Sequence, residues 1–77
     1  MRIEAWDRVG LLRDVTTVIA EEKVNMAGVR TNEHGDRTVT VRVTLETSGV
    51  DQLMRVLAKL EMVRGVMAVT RTTEGRA

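Results

Sequence analysis

From Thr38 to Leu45 the chain alternates without interruption: Val39, Val41, Val43 and Leu45 fall on one parity, and Thr38, Thr40, Arg42 and Thr44 on the other. Successive side chains of a strand point to opposite faces, so a period of two with one apolar and one polar side specifies a β-strand in a sheet covered on one face only. Such a strand cannot stand alone. The other segments must supply its neighbours and its cover.

Arg2 to Trp6 alternates in the same way, with Ile3 and Ala5 on one side and Arg2, Glu4 and Trp6 on the other, and reads as a short strand. Asp7, Arg8, Val9 and Gly10 break that pattern, after which Leu11, Leu12, Val15, Val18 and Ile19 recur at helical spacing as far as Glu22. Val24 and Met26 share one parity while Val29 and Thr31 share the other, which predicts a strand over 24–32 that changes face at Ala27 and Gly28 through a bulge. Asn32 to Asp36 reads as a hairpin loop leading into the alternating run. Ser48 then stands where a helix cap belongs, and Val50, Leu53, Met54, Leu57 and Leu60 form the stripe that the second helix would bury. Gly65 precedes a Val- and Thr-rich strand over 66–72, and Thr73 to Ala77 is a polar tail without periodicity. The expected domain is therefore 1–72 with a tail at 73–77. Strand, helix, strand, strand, helix, strand is most economically packed with both helices on one face of a four-stranded antiparallel sheet, the α+β, ferredoxin-like βαββαβ sandwich.

A chain of 77 residues buries only about 60% of its unfolded surface. It contains no cysteine and a single histidine, so neither disulfides nor a clustered metal site reinforces the fold, and association with a partner or a parent chain is the expected reinforcement. The net charge of +1 mixes acids and bases along the whole length and gives no electrostatic ground for DNA or an anionic membrane as partner. No apolar run approaches the roughly 20 residues that cross a bilayer, and no signal-peptide core follows Met1, so a cytoplasmic location is expected. Met1 lies almost against the first strand, as in a fragment of a longer protein.

The stretch Asp7-Arg8-Val9-Gly10-Leu11-Leu12 followed by Asp14-Val15-Thr16 resembles the D-R-x-G-L-L-x-D-[IV]-[TS] signature that opens ACT domains. Ile19-Ala20 and Val24-Asn25-Met26 are similar to the segment that starts the family's second strand. Leu53 to Leu60 with Gly65-Val66, Val69-Thr70-Arg71 resembles the ending of the C-terminal ACT domain of stringent-response guanosine tetraphosphate synthetases, the GTP pyrophosphokinases. Val9 departs from the pattern, since the family usually carries proline there to stiffen the turn. The resemblance implies a non-catalytic regulatory module. It implies a small amino acid held by Asp7, Val9, Gly10, Leu11 and Leu12 with Asn25, Ala27 and Gly28 opposite, branched-chain ligands being favoured. It also implies a homodimer through the sheet edge, contact with upstream domains of a parent enzyme, and contact with the ribosome. A regulatory ACT domain of a biosynthetic enzyme or transcriptional regulator is the alternative within the family.

By residue type alone these positions have plainer roles. Asp7 is a cap or turn former, Gly10 a conformational glycine, Asn25 a turn residue and Gly28 a bulge. A helix start offers free N–H groups to a carboxylate, and Asp7 or Asn25 can meet an ammonium, which gives the ligand reading its physical sense. His34 beside Glu33 and Asp36 is a solvated loop residue, with no metal and no cofactor expected. Met26, Met54, Met62 and Met67 read as core filler. Trp6, the only aromatic, is placed either under an interface or partly in the core. An acylphosphatase-like enzyme would need a glycine-rich phosphate loop, a copper chaperone a C-x-x-C pair, and an RRM-type RNA binder several stacking aromatics, and the chain carries none of these.

Overall fold

Ile3 and Ala5, the inward pair of the first strand, are fully buried, and so are Val15, Ile19, Val56 and Leu60 of the two helices, so one apolar layer between sheet and helices forms the core. The computed structural model describes residues 1–71; Thr72 and the expected tail Thr73–Ala77 lie outside the described residues. The elements are β1 (Arg2–Trp6), α1 (Leu11–Glu21), β2 (Asn25–Glu33), β3 (Thr38–Glu46), α2 (Val50–Glu61) and β4 (Val66–Thr70). Four strands make one antiparallel sheet in the order β2-β3-β1-β4, the expected ferredoxin-like arrangement.

The register carries the alternation across the sheet. Ile3 lies opposite Val41 and Val69, and Val41 opposite Thr31, all on the helix side; Arg2 lies opposite Arg42, and Arg42 opposite Arg30, on the open side. The bulge in β2 falls where parity places it, since the register jumps between Met26 and Gly28 and leaves Ala27 without a partner. A second irregularity, between Glu4 and Ala5 on β1, makes Met67 the extra residue of β4, and no parity change in that short strand announced it.

Several local expectations are corrected. Pairing in β2 continues through Glu33, opposite Val39, so the hairpin loop is His34 to Arg37 rather than 32–36. His34 N–H closes it on Thr38 O at 2.9 Å, Arg37 takes a positive φ of 71°, and Asp36 Oδ1 accepts from both the N–H and the hydroxyl of Thr38. Ser48 is not the cap of α2; Gly49 occupies that position, and the N–H and hydroxyl of Ser48 instead both donate to Gln52 Oε1, at 2.8 and 3.1 Å, which ties the residue before the cap to the first turn of the helix. The buried face of α2 is rotated from the expected stripe: Val56 and Leu60 are buried, Leu53 and Leu57 half-buried, and Val50 and Met54 exposed. Met62 and Met67 are exposed as well, so of the four methionines only the half-buried Met26 packs against the core. Trp6 is half exposed on the open face.

Across the top of the helix pair, Glu22 ties α1 to α2. Its carboxylate meets Lys59 Nζ at 2.5 Å and Arg55 Nε at 3.1 Å, and its carbonyl accepts from Gln52 Nε2. The hydrogen bond from Lys59, followed by that from Arg55, holds the Glu22 carboxyl below its ordinary value of 4.5.

Two outcomes follow from this packing. Leu60→Ala removes a fully buried side chain from between helix and sheet, and should lower unfolding free energy by about 2–5 kcal/mol in urea with little change of slope. The folded Glu22 keeps its charge to lower pH than the unfolded one, so its contribution is complete above the ordinary carboxylate value and disappears as pH falls through the folded value. The melting temperature of Glu22→Gln should therefore lie below that of the parent at pH 7 and converge on it in acid below the ordinary value of 4.5, which thermal melts across pH would check.

Candidate functional site

The antiparallel pairing of β1 with β3 puts Trp6 opposite Thr38, so the turn after β1 stands at the hairpin end of β2 and β3. Asp7 N–H donates to Arg37 O and Trp6 N–H to Gly65 O, each at 2.9 Å, which fixes the entry to the turn from both sides. Gly10 caps α1 in the left-handed region, at φ 84°, a conformation that favours glycine, whereas a Cβ there would meet only the exposed end of the Arg13 side chain, at 3.2 Å.

Arg8 holds this turn together. Its Nε donates to Arg64 O at 2.8 Å, its Nη1 to Val9 O at 3.0 Å, and its Nη2 to Asp14 Oδ2 at 2.7 Å. One planar guanidinium thus joins the loop before β4, the turn and the first turn of α1. Gly65 borders the Arg8 side chain and takes a left-handed φ of 92°, where glycine is favoured by conformation. The hydrogen bond from Arg8 is the main cause of the lowered pKa of Asp14.

Beside the turn lies a cavity of about 400 Å³. Asp7, Gly10, Leu11 and Leu12 bound it on one side and Thr31 and Glu33 of β2 on the other, with Val39 and Val41 at the base and Arg8 and Arg13 also in its wall. The bonds that open α1 run from Leu11 N–H to Arg8 O and from Asp14 N–H to Gly10 O. With no side-chain cap, the amides of Leu12 and Arg13 have no such acceptor among the described residues. The cavity is thus lined by Leu12 and Arg13, whose amides lack that acceptor, by the carboxylate-bearing Asp7 and Glu33, and by an apolar base.

Of the residues assigned to a ligand, the structure brings Asp7, Gly10, Leu11 and Leu12 together. Val9 is 98% exposed and projects away from the cavity. Asn25 lies at the far end of β2, where its Nδ2 donates to Glu46 Oε1 at 2.7 Å; Ala27 is the bulge residue, and Gly28 opens onto the other face of the sheet opposite Thr44. Within one chain these three do not face the turn. Thr31, Glu33, Val39, Val41 and the clasp residue Arg8 were missed. The strand order held the signal: if β3 pairs with both β1 and β2, the end of β1 must meet the end of β2 and not its start.

The model of the ACT domain family matches residues 1–71. A GTP pyrophosphokinase of Escherichia coli K12 is 42% identical over 72 residues, 92% of this chain and 10% of that protein. The bifunctional (p)ppGpp synthase/hydrolase RelA of Mycobacterium tuberculosis is 38% identical over 73 residues, 95% of this chain and 10% of its own length. The chain thus spans about a tenth of the length of the curated relatives it matches. Among solved structures, the crystal structure of the ACT domain from GTP pyrophosphokinase of Chlorobium tepidum superposes with a TM-score of 0.80 at 28% identity, covering 92% of this chain and 91% of that one. Signature and overall fold agree with these matches: the chain belongs to the ACT domain family.

Proposed function

We propose that the chain is the non-catalytic regulatory ACT domain of a GTP pyrophosphokinase, and that it senses a small amino acid, branched-chain ligands being favoured. The cavity at the first turn carries this reading. The amides of Leu12 and Arg13 suit a carboxylate, Asp7 and Glu33 suit an ammonium, and Leu11, Val39 and Val41 offer an apolar surface to an aliphatic side chain. The relatives' names favour a synthetase as parent over a biosynthetic enzyme or transcriptional regulator. Contact with upstream domains of that parent or with the ribosome, in the cytoplasm, belongs to the same reading and is supported by the resemblance alone.

The partner within the domain's own class is a second copy. β2 is a nine-residue edge strand exposed along nearly its whole length, and its free edge can pair with another strand. Pairing β2 with its twofold mate would also set Asn25, Ala27 and Gly28 at an interface, where a neighbouring protomer can reach them.

Calorimetric titration with valine, leucine, isoleucine and serine tests the ligand. One branched-chain amino acid should bind, and Asp7→Ala and Glu33→Gln should each weaken it at least tenfold, the loss of a hydrogen bond to a charged group. Absence of binding by all four would overturn the sensor reading. Sedimentation analysis tests the assembly: a dimer mass is expected, and a strictly monomeric mass at high concentration would exclude pairing through β2.

A further inference from the structure

The open face of the sheet carries three arginines in one cross-strand row, Arg2 of β1 opposite Arg42 of β3 opposite Arg30 of β2. Like charges directly opposite one another destabilise a sheet, and here two such pairs are adjacent. An acid relieves them at one end only. Arg2 Nε lies 3.1 Å from Glu4 Oε2, but Arg30 and Arg42 form no ion pair among the described residues. The other Glu4 oxygen accepts from Thr40 Oγ1, which in turn meets His34 Nε2 at 2.8 Å, and Glu46 is taken by Asn25. The carboxylates nearest the row are thus taken by Arg2, Thr40 and Asn25, and none is paired with Arg30 or Arg42.

The surface is hollow on both sides of these arginines. One groove of about 470 Å³ is bounded by Arg2, Arg30 and Arg42 with Gly28 and Thr44 at its floor, and nothing lies within 4 Å of where a Gly28 Cβ would be. A second, of about 300 Å³, lies against Arg30, Asn32, Thr40 and Arg42. Arg30 and Arg42 are shared by both. We propose that this row is a binding site for a soluble oligophosphate, two or three linked phosphate groups lying across β1, β3 and β2, separate from the cavity at the first turn on the opposite face. Guanidinium forks suit phosphate oxygens, and Asn32 adds a neutral hydrogen-bonding group at the second groove. Three strands set the row about 10 Å across, the scale of a short phosphate chain. A polynucleotide would call for a longer basic track and stacking aromatics in the groove, and the groove holds no aromatic side chain.

The test is a titration of the ¹⁵N-labelled chain with sodium triphosphate, followed by amide shifts, against sodium sulfate at matched ionic strength. Saturable shifts at residues 28–30 and 42–44 are expected, with affinity reduced roughly tenfold in Arg30→Gln and again in Arg42→Gln. Both variants should keep a dispersed spectrum, because the replaced side chains are exposed. Arg64→Gln, at an exposed arginine that lines neither groove, should bind as the parent does. Equal binding by the Gln variants, shifts centred on Leu12 and Arg13, or sulfate acting as well as triphosphate would overturn the proposal. Tighter binding of single-stranded RNA than of triphosphate, with the same shifts, would overturn it in favour of a polynucleotide surface.

Discussion

Helices of eleven and twelve residues can cover the middle of this sheet but not its whole width. That constraint orders the rest of the molecule. Ile3 and Ala5 of β1 and Val39, Val41 and Val43 of β3 are sealed beneath the helices, Val66 and Val69 of β4 are half covered, and Val29, Thr31 and Glu33 of β2 stand clear. The exposed inner flank of β2 and the amino end of α1 then enclose the cavity between them. A longer α1, or a third helix over β2, would fill that space and yield a more stable domain with nowhere to put a ligand.

The turn that borders the cavity is held by side-chain bonds and carries valine, not a ring-locked proline, at position 9. Val9 fixes nothing and points into solvent, while Arg8 makes three bonds to three separate segments. The two devices differ physically. A proline narrows the φ range of one residue in the folded and the unfolded chain alike, whereas the Arg8 clasp exists only when α1, the turn and the loop before β4 are already assembled. Order at the turn is in this chain a product of tertiary structure, and it is tied to the position of β4 through Arg64 and Gly65.

Much of this was legible in the sequence for a simple reason: where a face is sealed, the pattern that seals it is strict. The alternations of β1 and β3 and the Leu11, Val15 and Ile19 positions of α1 belong to buried surface and lie where they were expected, and the parity change at Ala27, though on an exposed edge strand, is fixed by its pairing with β3. Errors collected where burial is partial. Val50 and Met54 match the helical period of α2 as well as Val56 does, and only the position of β4 decides which face turns inward. Asn32 and Glu33 look like loop residues because the edge strand they extend is wet on both faces. At the site, the turn was readable from its own residues, whereas the opposite wall depended on which end of β2 comes near, a property of pairing that no local motif encodes.

The single unpaired residue at Ala27 has a wider consequence for how such a domain can vary. Downstream of the bulge, Arg30 faces the open side and Thr31 the helix side, one residue apart, so the arginine row and the cavity wall are set by the same phase of one strand. A one-residue insertion or deletion between Gly28 and the hairpin would exchange the two, emptying both surfaces in a single step. Substitutions can tune either surface by itself, but changes of length in this strand act on both together. The length of β2 beyond the bulge is thus a constraint shared by both faces of the sheet, whatever side chains each face carries.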